Sequence, residues 1–133
     1  MTPLVVAYAC VLVAALLPYA WIAIAKSGAP RYDNRDPRGW LASQQSPRVR
    51  HAHAAHLNAF EAFAPFAAGV LMAQLAGVAP RTIAWLAVAF VIARVLHGML
   101  YVADRATARS AAWLVGIACV VALHAWAIAA LLH

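Results

Sequence analysis

The chain has 133 residues, 66% of them hydrophobic and 11% charged, with a formal net charge of +6 at pH 7. Soluble domains hold nearer half apolar and a quarter charged residues, so this composition, with a mean hydropathy of +0.78, excludes an ordinary soluble fold and leaves room for one domain only. Positive charge alone would suit a nucleic-acid binder, but most of the basic residues gather between two apolar stretches, where a membrane protein keeps its cytoplasmic charge, and no nucleic-acid partner is expected.

A first transmembrane helix is predicted over about 3–25, long enough for the roughly 20 residues that a bilayer core requires. It lacks a basic n-region and outruns the roughly 7–15 residues of a signal-peptide core, so it reads as a retained helix. Pro18 is expected to kink it, and Tyr19, Trp21 and Lys26 suit an interfacial end. Residues 26–46 are rich in Gly, Pro, Asp, Asn and Arg and are predicted as a cytoplasmic loop.

The second helix is predicted over 47–77. Ser46 is a good N-cap and Pro47 fits the first helical position. Its opening, RVRHAHAAHLN, is polar and its continuation, AFEAFAPFAAGVLMAQLAG, is apolar, so the helix starts in water or headgroups and then enters the membrane. Gly77 and Pro80 close it. A third helix follows over 81–103 and a fourth over 107–132. The short connections make these helices sequential antiparallel neighbours, and the many Ala and Gly residues allow close approach. The predicted fold is thus an all-α membrane protein, a bundle of four transmembrane helices.

Lys26, Arg31, Arg35, Arg38, Arg48 and Arg50 fall between the first two helices, and Arg105 and Arg109 fall at the same end, between the last two. The opposite end has Arg81 alone. The positive-inside rule then places the basic loops in the cytoplasm and both termini outside. Cys10 and Cys119 sit within apolar stretches, form no CxxC pair and read as small packing residues.

Ionisable groups inside a membrane are costly, by about 2.5–3.5 kcal/mol each on insertion scales, so Glu61 and Arg94 must face a partner or a wet cavity. At about 100° per residue, His51, Ala54, Asn58, Glu61 and Pro65 share one stripe of the second helix, and Arg94, His97 and Tyr101 share one of the third. Arg109 and Ser110 open the fourth helix at the same level. Two readings follow. Glu61 and Arg94 pair simply to fix helix packing, with Asn58 and His97 as interhelical hydrogen bonds. Alternatively, the groups form a polar pocket near the cytoplasmic face, floored by a Glu61–Arg94 ion pair, for an anionic, peptide-like ligand and an apolar co-substrate arriving from the lipid. His51, His53 and His56 form no metal motif, no metal is expected, and His124 and His133 carry no pattern. A haem held by two in-membrane histidines is a weaker option.

The segments HAAHLNAFEAFAPF and RVLHGMLYVADRATARS together resemble the MAPEG family, the membrane-associated proteins of eicosanoid and glutathione metabolism, and RYDNRDPRGWLA looks like the loop of its bacterial branch. The resemblance covers nearly the whole chain. It implies a homotrimer of four-helix bundles, here in a bacterial inner membrane, with glutathione bound between neighbouring subunits near the cytoplasmic face. It also implies that Asn58 and Glu61 help hold the tripeptide, with Arg94 a buried arginine and His97 and Tyr101 lining the site. Arg109 and Ser110 match the arginine and serine near the sulfur and are the expected catalytic pair, across a gap of one residue. Eukaryotic members carry arginines at the positions of Ala54 and Leu57, and several have a tyrosine at that of Trp113. The expected function is a glutathione- or thiol-dependent transferase or peroxidase-like enzyme acting on lipophilic electrophiles. The alternative that these departures motivate is a non-enzymatic trimeric membrane protein of the same fold.

Overall fold

Four helices begin on proline: α1 (Pro3–Ser27), α2 (Pro37–Ala42), α3 (Pro47–Leu75) and α4 (Pro80–Val102). A proline's missing N–H is no loss in a first turn, where no carbonyl waits for it. The last helix, α5 (Ala106–Ala130), starts instead after a tight turn. This is a computed structural model and it describes residues 2–132, so His133 lies outside the described residues. No strand occurs among the described residues.

Residues 26–46 are not loop throughout, as α2 interrupts them. The reason is local. Asp36 caps the helix by accepting a hydrogen bond from the Gly39 N–H at 2.9 Å, and Pro37 fills the first position. Gly39 is required there, because a Cβ would lie 2.0 Å from the Asp36 carboxylate. Trp40 and Leu41 of α2 pack on Ala25 of α1 and Val49 and Ala52 of α3. The short helix is therefore pinned to the bundle by its apolar side.

Among the long helices, α3 and α4 occupy the middle, each packed against α1, α5 and one another. At the close of α3, Gly77 takes φ +80°, a left-handed conformation that suits glycine. At the close of α4, Asp104 takes φ +56° while the Arg105 N–H reaches back to the Leu100 carbonyl at 2.9 Å. Asp is among the few residues that tolerate this region, and the turn sends α5 back alongside α4.

Lipid tails are as apolar as leucine, so association rests on close packing and not on burial from water. The core is accordingly built of small residues, Ala7, Cys10, Ala14, Ala73, Ala87, Cys119 and Ala127, around a stacked pair, Phe66 of α3 and Phe90 of α4, with ring centroids 3.8 Å apart. Gly98 of α4 leaves room for the Trp21 indole of α1, whose nearest atom would lie 2.1 Å from a Cβ there. Leu12, Leu16, Ile92, Val121 and many other large apolar side chains are exposed on the outer faces, as lipid contact demands.

Helices α1, α4 and α5 are long and apolar enough to cross a membrane. α3 is the fourth member of the bundle. Its opening turns are polar, while its second part contributes Phe66, Val70 and Ala73 to the common core. α1 runs as one helix through Pro18. The clustering of Ala25, Val49 and Val102 brings the end of α1, the start of α3 and the end of α4 together. Every basic residue outside the spans except Arg81 therefore collects at one end.

Candidate functional site

Arg94 sits on the inner side of α4 and is only 4% exposed. Its Nη2 donates to the Asn58 backbone carbonyl of α3 at 2.8 Å, while its Nε has no hydrogen-bond partner among the described residues. No carboxylate lies within 4.0 Å of it among the described residues. The expected Glu61–Arg94 ion pair is thus corrected. A backbone carbonyl takes the guanidinium, and Glu61 stays on the exposed side of α3. Pro65 adds a second acceptor at this level, because its missing N–H leaves the Glu61 carbonyl without its helical partner.

Glu61 and Arg94 nevertheless line one cavity of about 190 Å³, together with Asn58 and Pro65 of α3. Its remaining walls are apolar: Phe90 of α4 and Trp113, Gly116, Ile117 and Val120 of α5. Gly116 permits the approach, since a Cβ there would stand 3.3 Å from Cδ of Arg94. Asn58 donates Nδ2–H to the Ala54 carbonyl of its own helix at 3.2 Å. The cavity joins a buried positive group and a free carboxylate to a greasy wall, the pairing that an anionic or zwitterionic ligand with an apolar co-reactant requires.

His97, Tyr101, Arg109 and Ser110 do not line this cavity. Tyr101 is the centre of a second group toward the basic end. The Arg109 guanidinium lies over its ring at 4.2 Å, His97 meets it edge-on at 5.6 Å, and His51 approaches at 6.1 Å. His51 also stands 3.9 Å from Asp104, the residue in the left-handed turn. Ser110 donates its hydroxyl to the Ala106 carbonyl one turn back, at 3.1 Å, and is exposed. The single pocket expected from the sequence is therefore two neighbouring groups. One is built around Arg94 and the other around Tyr101, with His97, 3% exposed, on the same buried side of α4 as Arg94.

The polar opening of α3 carries a third set. His53 and His56 stack at 5.8 Å, and His56 donates Nδ1–H to the Pro18 carbonyl at 2.8 Å. Burial, and next the neighbouring His56, hold the His53 imidazole below the ordinary histidine value. His124, far along α5, donates Nδ1–H to Val120 of its own helix at 2.9 Å and packs on Gly69. Among the described residues no group of three or more His, Cys, Asp or Glu is placed to hold a metal ion.

Sequence spacing missed the α5 wall, because a helix that is apolar all round gives no sign of which face meets a cavity. Gly116 was the available signal, a glycine inside a membrane helix where only close packing justifies it. The Asp104–His51 pair was missed because it depends on the backbone turn.

The fold defines an all-α integral membrane protein with a polar cavity among its helices. A family model described as the MAPEG family matches residues 6–129, and the chain belongs to that family. Comparison with curated proteins gives no match, and comparison with solved structures gives none either.

Proposed function

We propose that the protein is a membrane-embedded, glutathione- or thiol-dependent transferase or peroxidase-like enzyme acting on lipophilic electrophiles. The observation that carries this reading is Arg94, a buried guanidinium with an unpartnered Nε and no carboxylate within hydrogen-bonding reach. A buried charge left unpaired is expensive, and an anionic ligand would supply what the fold withholds. The cavity, at about 190 Å³, is smaller than the roughly 300–1,000 Å³ of complete ligand sites. A homotrimer in which a neighbouring subunit closes the site would account for the difference.

In this reading Asn58, Glu61 and Arg94 hold the tripeptide, with Glu61 facing its ammonium group and Arg94 a carboxylate, and His97 and Tyr101 line its outer end. Arg109 and Ser110 act on the sulfur. A cation and a hydroxyl donor near a thiol favour its charged form and so lower its pKa. The thiol proton leaves to the aqueous face. The sulfur lone pair then forms a bond to an electrophilic carbon arriving from the lipid, and the leaving group departs with the electron pair of the bond that breaks. The positive-inside rule supports cytoplasmic basic loops and outward termini, and the likeness of RYDNRDPRGWLA to the loop of the bacterial branch supports the inner membrane of a bacterium.

One observation favours a second reading, a non-enzymatic protein of the same fold. The Ser110 hydroxyl is spent on its own helix, and Arg109 is stacked on Tyr101, away from the Arg94 cavity. Rapid mixing of the purified protein with glutathione, followed by thiolate absorbance and then by conjugation of a lipophilic electrophile, separates the two. Enzyme activity predicts a thiolate signal and a product that Arg109→Ala removes. Silence in both channels supports the non-enzymatic protein.

A further inference from the structure

Two clefts flank α2 on the basic end, away from the Arg94 cavity. One, of about 540 Å³, is lined by Arg38, Leu41, Gln44, Arg50, His53 and Leu57, with Ala42. The other, of about 340 Å³, shares Arg38, Leu41, His53 and Leu57 and adds Lys26, Tyr32, Trp40 and Ile22. The chain has four acidic residues, and none of them lines either cleft. Each is placed elsewhere. Asp33 accepts from the Arg35 N–H, Asp36 caps α2, Asp104 faces His51, and Glu61 lines the Arg94 cavity. Lys26 lies over the Tyr32 ring, 4.3 Å away, and among the described residues no carboxylate stands within 4.0 Å of it.

Three permanent cations, Lys26, Arg38 and Arg50, thus converge on adjoining clefts with no carboxylate among the described residues in either lining. The same clefts carry an apolar lining of Leu41, Leu57, Ile22 and Trp40. A free inorganic anion would use the cations and leave that lining bare. A phospholipid uses both, with its phosphate on the cations and its glycerol and upper acyl chain on the leucines. The position agrees, since the clefts lie at the basic end where α1 finishes and α3 is still polar. Basic pockets at the cytoplasmic side of a bundle are suited to anionic headgroups.

We propose that these two clefts form one binding site for the headgroup of an anionic phospholipid, with Arg38 and Arg50 on the phosphate and α2 as its apolar clasp. The clefts share no residue with the Arg94 cavity, so the lipid test and the glutathione test can fail separately. The α2 segment is then held twice, by Trp40 and Leu41 against the bundle and by the lipid that bridges Arg38 to Arg50.

The test uses the full chain in detergent micelles doped with phosphatidylglycerol, with phosphatidylcholine, or with inorganic phosphate alone. Thermal unfolding and lipid retention in native mass spectrometry are read together. The expected result is a melting temperature raised by phosphatidylglycerol and not by phosphatidylcholine, with retained phosphatidylglycerol. In the double variant Arg38→Gln, Arg50→Gln, apparent affinity should fall at least tenfold. The control Arg35→Gln, Arg48→Gln removes the same charge outside the clefts and should keep the effect. All four arginines are exposed, so folding is not at stake. Equal stabilisation by both lipids, equal loss in both double variants, or a response to inorganic phosphate as large as that to phosphatidylglycerol would each overturn the assignment.

Discussion

Replacing Arg94 by methionine separates a packing role from a ligand role. The substitution keeps most of the side-chain volume and removes the charge. It deletes the hydrogen bond from Nη2 to the Asn58 carbonyl, a charged donor worth about 1.5–3 kcal/mol. Against that, it removes a buried Nε with no partner, whose burden is about 1–3 kcal/mol. It also removes a cation from the membrane interior, at roughly 2.5–3.5 kcal/mol. The two gains match or exceed the loss, so ligand-free Arg94→Met should unfold at no lower temperature than the parent. The variant should fail to respond to glutathione. If Arg94 instead holds α3 to α4 as part of a satisfied buried pair, its removal should destabilise by about 3–5 kcal/mol. Thermal unfolding of parent and variant in one detergent, with and without glutathione, decides it. A large loss of ligand-free stability in Arg94→Met would refute the reasoning.

Gly98→Ala should destabilise by about 1–3 kcal/mol or more, the range for overpacking, because the new Cβ meets the Trp21 ring at 2.1 Å. Adding Trp21→Leu should restore much of the loss in the same unfolding assay. Tyr101→Leu removes the ring beneath Arg109, a contact worth about 0.5–1 kcal/mol. Thiolate formation should fall roughly two- to fivefold on that scale, while Tyr101→Phe keeps the ring and should keep the rate. The lowered His53 pKa means that the unfolded chain takes up its proton first as pH falls. This group's contribution to stability is fully present above the unfolded value near 6.5 and is lost as pH falls from there through the lower folded value. His53→Gln should flatten that part of the stability–pH curve.

The fold was legible because three spans announce themselves by long, predominantly apolar stretches, and α3 by a proline start with apolar residues after a polar opening. Positive charge at one end of the bundle was legible for the same reason, as loops of a membrane protein sort by Lys and Arg. α2 was signalled by Asp36 and Pro37 but obscured by the turn-forming residues around it. At the site, helical spacing brought Asn58, Glu61 and Arg94 to one level, and the structure sets them on one cavity. What spacing could not give was the partner of Arg94. A backbone carbonyl leaves no mark in a sequence, whereas the Glu61 carboxylate on the facing stripe does. Nor could it separate Arg94 from Tyr101, since residues on one stripe differ in depth by a turn or two, which is enough to divide one pocket into two.

Thermal unfolding of the purified protein against rising glutathione bears most directly on the central claim, that the Arg94 cavity receives an anionic thiol. A ligand that binds only the folded state must stabilise it, by about 2.7 kcal/mol at a hundred times its Kd. The account predicts a saturable rise in melting temperature with glutathione, and a much smaller one with 2-mercaptoethanol, which has the thiol but no carboxylate. A melting temperature that does not move at any glutathione concentration would contradict it.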